Sequence, residues 1–201
     1  MSKVKICGLS RPEDIVAVND VLPDFIGFVF APSRRRVEVK TAAALKEKLD
    51  PRIEAVGVFV NEAVETVVQM YRNSIIDLVQ LHGDEDDEYI KRLKESCGCR
   101  VIKAIGVGDA LPPLPIEPDY LLFDTLSTQR GGVGQAFDWN ILKDYHGIPY
   151  FVAGGLTVDV VSEAIHLLSP FCVDVSSGVE TGGIKDAEEI RKFVGLVRGI
   201  K

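Results

Sequence analysis

Lys3-Val4-Lys5-Ile6-Cys7-Gly8 is a short β-compatible run that ends in a thiol and is followed at once by glycine. The next stretch, Ser10-Arg11-Pro12-Glu13-Asp14, reads as a helix start: Ser10 is a capping type, Pro12 suits a first turn, and Glu13 stands three residues after the serine. Cys7 is therefore expected at the C-terminal tip of a strand, where the chain turns into a helix. Where strands and helices alternate around a barrel, that edge carries the chemistry.

Working outward, apolar β-branched runs recur at Val4–Cys7, Phe25–Phe30, Ala55–Val60, Leu78–Leu81, Val101–Ile105, Tyr120–Phe123, Tyr150–Ala153 and Cys172–Val175. These eight runs fall about two dozen residues apart, the spacing of compact βα units. Helical periodicity fits most of the gaps: Pro12–Asp20, Lys40–Leu49, Glu62–Arg72, Glu85–Ser96, Asn140–Tyr145, Val158–Leu168 and Ala187–Arg198. The gap after the fifth run holds Pro112, Pro113, Pro115 and Pro118, which remove donors and clash inside a helix, so a loop or a single turn is expected there. The pattern predicts one (β/α)8 TIM barrel over residues 1–201, with the helix after strand 5 reduced or absent and strand 1 paired to strand 8. A doubly wound open sheet is the rival, but it needs a strand-order reversal and would leave eight units in about 200 residues unclosed.

Composition narrows the partners. The chain has 201 residues, is 46% hydrophobic and 26% charged, and carries a formal net charge of −7, which argues against a nucleic-acid binder. No apolar run approaches the roughly 20 residues of a membrane span, and no signal peptide is visible, so the cytoplasm is expected. Cys97-Gly98-Cys99 is too cramped for an ordinary disulfide or a zinc knuckle. His82, His146 and His166 share no ligand spacing, so no metal is expected.

The strand tips supply the candidates. Arg34-Arg35-Arg36 after strand 2 reads as a solvated basic loop or as an anion clamp. Gln80 and His82 share parity at strand 4 and can both point into the barrel mouth; a lone histidine there is commonly a hydrogen-bonded structural group. Asp124 ends the apolar run of strand 6, where burial would raise its pKa and suit a general acid, although an aspartate there can simply start a turn. The glycine-rich segment Arg130–Gln135 after it is a candidate for closing over a substrate. Strand 7 runs into Gly154-Gly155 and strand 8 into Ser176-Ser177-Gly178, two adjacent turns whose backbone can approach an anion closely. In this fold a phosphate is commonly held after strands 7 and 8. Lys5 shares parity with Cys7, and a buried lysine needs a partner, for which Asp174 on strand 8 is the first choice.

These residues together resemble the phosphoribosylanthranilate isomerase family. The resemblance rests on Lys5-Ile6-Cys7-Gly8-Leu9, Gly27-Phe28-Val29-Phe30 with Ser33 and Arg36, Gly57-Val58-Phe59-Val60-Asn61, Gln80-Leu81-His82-Gly83, Phe123-Asp124-Thr125, Gly131-Gly132 and Gly134 with Phe137-Asp138-Trp139, Gly154-Gly155-Leu156, and Val173 to Glu180. It runs nearly end to end; Gln135 departs from the basic residue or threonine common after the last loop glycine. It implies an Amadori rearrangement of N-(5-phospho-β-D-ribosyl)anthranilate in tryptophan biosynthesis, without cofactor or metal, by a monomer or homodimer. It further implies Cys7 as general base, Asp124 as general acid and Arg36 on the substrate carboxylate. Gly154, Gly155, Ser177 and Gly178 would hold the phosphate, with His82 and Asp174 as further substrate contacts. The rival readings are another phosphosugar barrel and a phosphate-binding barrel without catalysis. A histidine-pathway isomerase uses two carboxylates, whereas strand 1 here offers Cys7. A pentose-phosphate epimerase would want metal-binding His and Asp at several tips.

Overall fold

The computed structural model describes residues 1–125 and 137–200. Eight parallel strands close into a barrel in the order β1 to β8: β1 (Lys3–Cys7), β2 (Phe25–Val29), β3 (Glu54–Phe59), β4 (Leu78–Leu81), β5 (Arg100–Val107), β6 (Tyr120–Thr125), β7 (Tyr150–Val152) and β8 (Cys172–Val175). β1 closes the ring on β8 with Lys5 opposite Asp174, and meets β2 on its other edge with Cys7 opposite Gly27. Among the described residues six α-helices pack outside: α1 (Pro12–Val21), α2 (Val39–Lys46), α3 (Val64–Arg72), α4 (Asp87–Cys97), α5 (Val161–Leu168) and α6 (Ala187–Gly199).

Strand parity sorts the side chains. One set points inward and builds a core from Phe25, Val56, Leu78, Ile102, Leu122 and Phe151. The other set meets the helices in a larger shell that includes Ile6, Ile26, Phe123, Val173, Ile190 and Phe193. Residues two further along the inward set reach the C-terminal mouth, which is why Cys7, Gln80, Asp124 and Asp174 share one end of the barrel.

The loop between β5 and β6 carries no helix, as its prolines dictate. It is pinned instead: the Asp87 carboxylate at the start of α4 accepts from the N–H groups of Ile116 and Glu117, and Asp119 accepts from Val101 N and Lys94 Nζ. Two local expectations need correction. The cap of α1 is Arg11, not Ser10, and it is Asp14 rather than Glu13 that bends back to accept from the N–H groups of Ser10 and Arg11. The helix expected at Asn140–Tyr145 is a four-residue 3-10 turn, Trp139–Leu142, because Asp138 caps it early and Gly147 and Pro149 follow closely.

After β8 the chain makes a feature the periodicity did not reveal. A 3-10 turn (Ser177–Val179) leads into a two-stranded hairpin, β9 (Glu180–Thr181) and β10 (Ile184–Lys185), turned by Gly182 and Gly183 at φ 61° and 81°. Both glycines occupy the left-handed region that other residues rarely adopt.

Candidate active site

Strand order fixes the order of groups around the mouth. Cys7 ends β1, Arg36 follows β2, Gln80 and His82 end β4, Asp124 ends β6, Gly154-Gly155 follow β7, and Ser177-Gly178 follow β8. Thiol and carboxyl thus stand on strands that are not neighbours, and the two glycine turns fill the arc between them. Arg36 lies on the far side of the thiol.

Cys7 is only partly buried. Its strand neighbour Gly27 makes room for it: a Cβ there would stand 2.7 Å from the Cys7 sulfur. Burial raises the pKa of the thiol, against the lowering pull of the Lys5 and Lys185 ammonium groups. Lys5 is fully enclosed and donates to Asp174 Oδ2 at 2.7 Å and to Gln80 Oε1 at 2.8 Å. Burial would depress Lys5, but the Asp174 carboxylate and the Cys7 thiol outweigh it and leave its pKa above the ordinary lysine value. The inward orientation of Lys5 and its pairing with Asp174 agree with strand parity.

Asp124 has the opposite character to an exposed carboxylate. Burial raises its pKa to about 6, against the Thr125 N–H that donates to Oδ1 at 2.8 Å. His82 Nε2 lies 3.8 Å from Asp124 Oδ2, and His82 Nδ1 lies 3.1 Å from Gln80 Nε2. A polar path therefore runs from Asp174 through Lys5, Gln80 and His82 to Asp124. Gly154, at φ 81°, abuts the same carboxyl, since a Cβ on it would stand 2.8 Å from Asp124 Oδ1.

The three arginines after β2 separate by role. Arg34 and Arg35 both bind Glu180, Arg34 Nη2 at 2.7 Å and Arg35 Nε at 2.7 Å. Arg36 keeps an exposed guanidinium, whose carboxylate neighbour is the exposed Glu38 at 3.5 Å. Gly155 has φ 67°, and a Cβ on Gly178 would overlap the Leu156 carbonyl oxygen at 1.9 Å, so both turns depend on glycine. Ser177 and Gly178 lie in the short 3-10 turn whose leading N–H groups have no partner within it. Asp174 is occupied with Lys5, which makes it a partner inside the barrel. The Arg130–Gln135 segment, read from sequence as a closing loop, lies outside the described residues, as do Gly131, Gly132 and Gly134.

Sequence reasoning missed Lys185, and it gave Ser176 and Glu180 no role beside Cys7. Lys185 Nζ donates to Glu180 Oε1 at 2.8 Å and to the Ser176 carbonyl at 2.7 Å, and the Ser176 hydroxyl donates to the Cys7 carbonyl at 2.9 Å. The available signal was Glu180-Thr181-Gly182-Gly183-Ile184-Lys185, a two-glycine hairpin turn directly after a strand tip.

Comparison with known proteins points to one family. Residues 4–195 match the family model described as N-(5'phosphoribosyl)anthranilate (PRA) isomerase. An N-(5'-phosphoribosyl)anthranilate isomerase of Endomicrobium trichonymphae is 46% identical over 201 residues, covering 100% of both chains. Among solved structures, phosphoribosyl anthranilate isomerase from Thermus thermophilus has a TM-score of 0.87 at 32% identity, with 99% of this chain and 100% of that one covered. A phosphoribosyl anthranilate isomerase in complex with reduced 1-(o-carboxyphenylamino)-1-deoxyribulose 5-phosphate has a TM-score of 0.82 at 32% identity, with 99% and 100% covered.

Proposed function

The chain belongs to the phosphoribosylanthranilate isomerase family, an enzyme family of tryptophan biosynthesis, and from that premise we propose that Cys7 and Asp124 divide the proton transfers of the reaction between them. The observation that carries this reading is a buried carboxyl, Asp124 with its pKa raised to about 6, placed across the mouth from a thiol flanked by two buried ammonium groups.

Asp124 gives its proton to the furanose ring oxygen, the C1–O bond breaks, and the anthranilate nitrogen forms a C1=N Schiff base. The Cys7 thiolate takes the proton from C2, and the electron pair of that C–H bond forms the enolamine, which tautomerises to 1-(2-carboxyphenylamino)-1-deoxy-D-ribulose 5-phosphate. One proton is given and one taken, so the cycle ends with thiol and carboxylate, and a single proton transfer restores the start. Apart from the C1–O cleavage every step is a proton transfer, and these two groups supply the acid and the base.

The remaining assignments follow from position. Arg36 holds the anthranilate carboxylate beside Cys7. Gly154, Gly155, Ser177 and Gly178 hold the phosphate between acid and base, supplying binding energy away from the reacting atoms. His82 and Asp174 act on the reaction through Asp124 and Lys5. We read residues 1–201 as one catalytic domain. We place it in the cytoplasm, because its phosphorylated substrate would not cross a membrane unaided.

The acid and base are in unusual order: the group needed protonated has the lower pKa. The pH profile of kcat/KM should then be a bell whose acid limb, near pH 6, is Asp124 and whose alkaline limb is Cys7. The test follows loss of phosphoribosylanthranilate fluorescence with purified protein. Cys7→Ser and Asp124→Asn should each cut turnover by at least about a hundredfold. Affinity for a reduced product analogue should change far less. Near-normal turnover in either variant removes that residue from its role, and a parallel collapse in affinity makes it a binding group.

A further inference from the structure

Cys7 sits between two buried ammonium groups that differ in how far their charge is cancelled. Lys5 is paired one to one with Asp174. Lys185 shares Glu180 with Arg34 and Arg35, so three cations meet one carboxylate and two positive charges are left over. The Lys185 and Glu180 side chains are 3% and 4% exposed, which leaves little water to screen that excess. Lys185 is also tied to the base mechanically. Its Nζ lies 3.2 Å from the Ser176 hydroxyl, and that hydroxyl donates to the Cys7 carbonyl.

We propose that Lys185, carried on the β9–β10 hairpin, is the positioning residue that holds Cys7 in place and favours its thiolate. The residue does so from outside the substrate contacts, and the Glu180 knot with Arg34 and Arg35 holds Lys185 against the strand tip. The proposal rests on the reading of Cys7 as the base. It also gives the hairpin after β8 a purpose: it brings a cation to the end of β1 and, through Arg34 and Arg35, braces the loop that carries Arg36.

The charged groups around the thiol come from every side. Lys5 stands on β1, Asp174 on β8 and Lys185 on β10, while Asp124 and His82 stand across the mouth. Arg35 packs its Cδ where a Gly8 Cβ would be. Around Lys185 stand Glu180, Arg35 and Cys7, and Arg11, paired with Asp14, donates to its carbonyl. Burial lowers the Lys185 pKa, and Glu180 and Cys7 oppose that. Asp174 pushes the thiol up, while Lys5 and Lys185 pull it down.

The test is the pH dependence of Cys7 alkylation by iodoacetamide on the full chain. It is read by mass spectrometry on the Cys7 peptide, so that Cys97, Cys99 and Cys172 do not interfere, and is run beside the pH profile of kcat/KM. Lys185→Met should move the alkylation midpoint up by about one pH unit, as expected for loss of a nearby buried cation. The alkaline limb of kcat/KM should move the same way. The plateau should fall by about tenfold, because at fixed Asp124 the productive fraction falls as the thiol pKa climbs. Lys185→Arg should restore all three. A folded Lys185→Met with a lower plateau but an unmoved midpoint and limb would overturn the proposal, as would no change in any of them. Should that variant not fold, Lys185→Gln decides by the same readings: the midpoint should rise, and an unchanged or lower value overturns the proposal. If Cys7→Ser retained turnover, the reading of Cys7 as base would fail instead, and the alkylation midpoints would still report on Lys185 alone.

Discussion

Lys5 Nζ and Asp174 Oδ2 meet at 2.7 Å inside the barrel, on residues that are direct partners across the β1–β8 seam. The pair closes the ring in a second sense, since the strands that complete the barrel are also joined by charge. Lys5 is 0% exposed and Asp174 7% exposed, so neither charge has water to fall back on. Asp174 Oδ1 is buried and has no hydrogen-bond partner among the described residues.

Removing one partner should therefore cost far more than the pair contributes. Lys5→Met leaves the carboxylate buried and alone, and urea denaturation at pH 7 should show a loss of about 3–5 kcal/mol. Lys5→Met with Asp174→Leu should cost clearly less than the two single changes added together. A loss under about 1 kcal/mol in Lys5→Met would mean that the pair is not desolvated.

The two anion sites should fail separately. Arg36→Ala removes one charge-assisted contact, worth about 1.5–3 kcal/mol, and should raise KM at least about tenfold. Inorganic phosphate should compete as before, because its proposed site lies beyond Cys7 in the arc from β7 to β8. Steady-state inhibition measures both. Loss of phosphate competition with anthranilate-analogue binding intact would reverse the two assignments.

Glycines give a paired test of backbone against site. A Cβ on Gly154 meets Thr125 Oγ1 at 2.6 Å and Asp124 Oδ1 at 2.8 Å, at a φ of 81°. Gly154→Ala should cost about 1–2 kcal/mol in left-handed strain alone. It should also lower kcat at least about tenfold, because the neighbour that must move is the proposed acid. Gly195 lies exposed inside α6 with nothing within 4 Å of an added Cβ. Gly195→Ala should stabilise by about 0.5–1 kcal/mol and leave turnover unchanged. Thermal melts and a turnover assay on both variants check the contrast.

The sequence made the barrel legible because strand parity and strand spacing are local properties. Eight apolar runs, a proline-filled gap in place of a helix, and the shared parity of Lys5 with Cys7 all follow from neighbours in the chain. Partnerships formed at long range were not legible. Arg34-Arg35-Arg36 reads as one basic patch, yet Glu180, more than 140 residues away, takes two of its members and leaves the third exposed. Gln80 could be placed on the inner face, but nothing nearby shows that it bridges Lys5 to His82. The short turn at Trp139–Leu142 is a different case: its stop signals, the Asp138 cap and Gly147 with Pro149, are local, and its apolar residues pack without a full helix.

Asp124 should make the proposed acid a liability to the fold, and the sign can be worked out. Its folded pKa is about 6, raised from 3.8 by burial. A carboxyl raised on folding binds its proton more tightly in the native state, so stability falls as pH climbs from about 4 through about 6. A rise of that size corresponds to about 2–3 kcal/mol withheld from the native state above pH 7. Asp124→Asn keeps the shape and never ionises. It should therefore be more stable than the unmodified chain by up to that amount at pH 7.5, and the difference should shrink to nothing near pH 4. Urea denaturation at both pH values measures it. The same substitution should abolish most turnover, so one variant is expected to gain stability where it loses catalysis. A pH-independent difference would show that burial does not raise the Asp124 pKa, and with it would go the physical basis for its role as the acid.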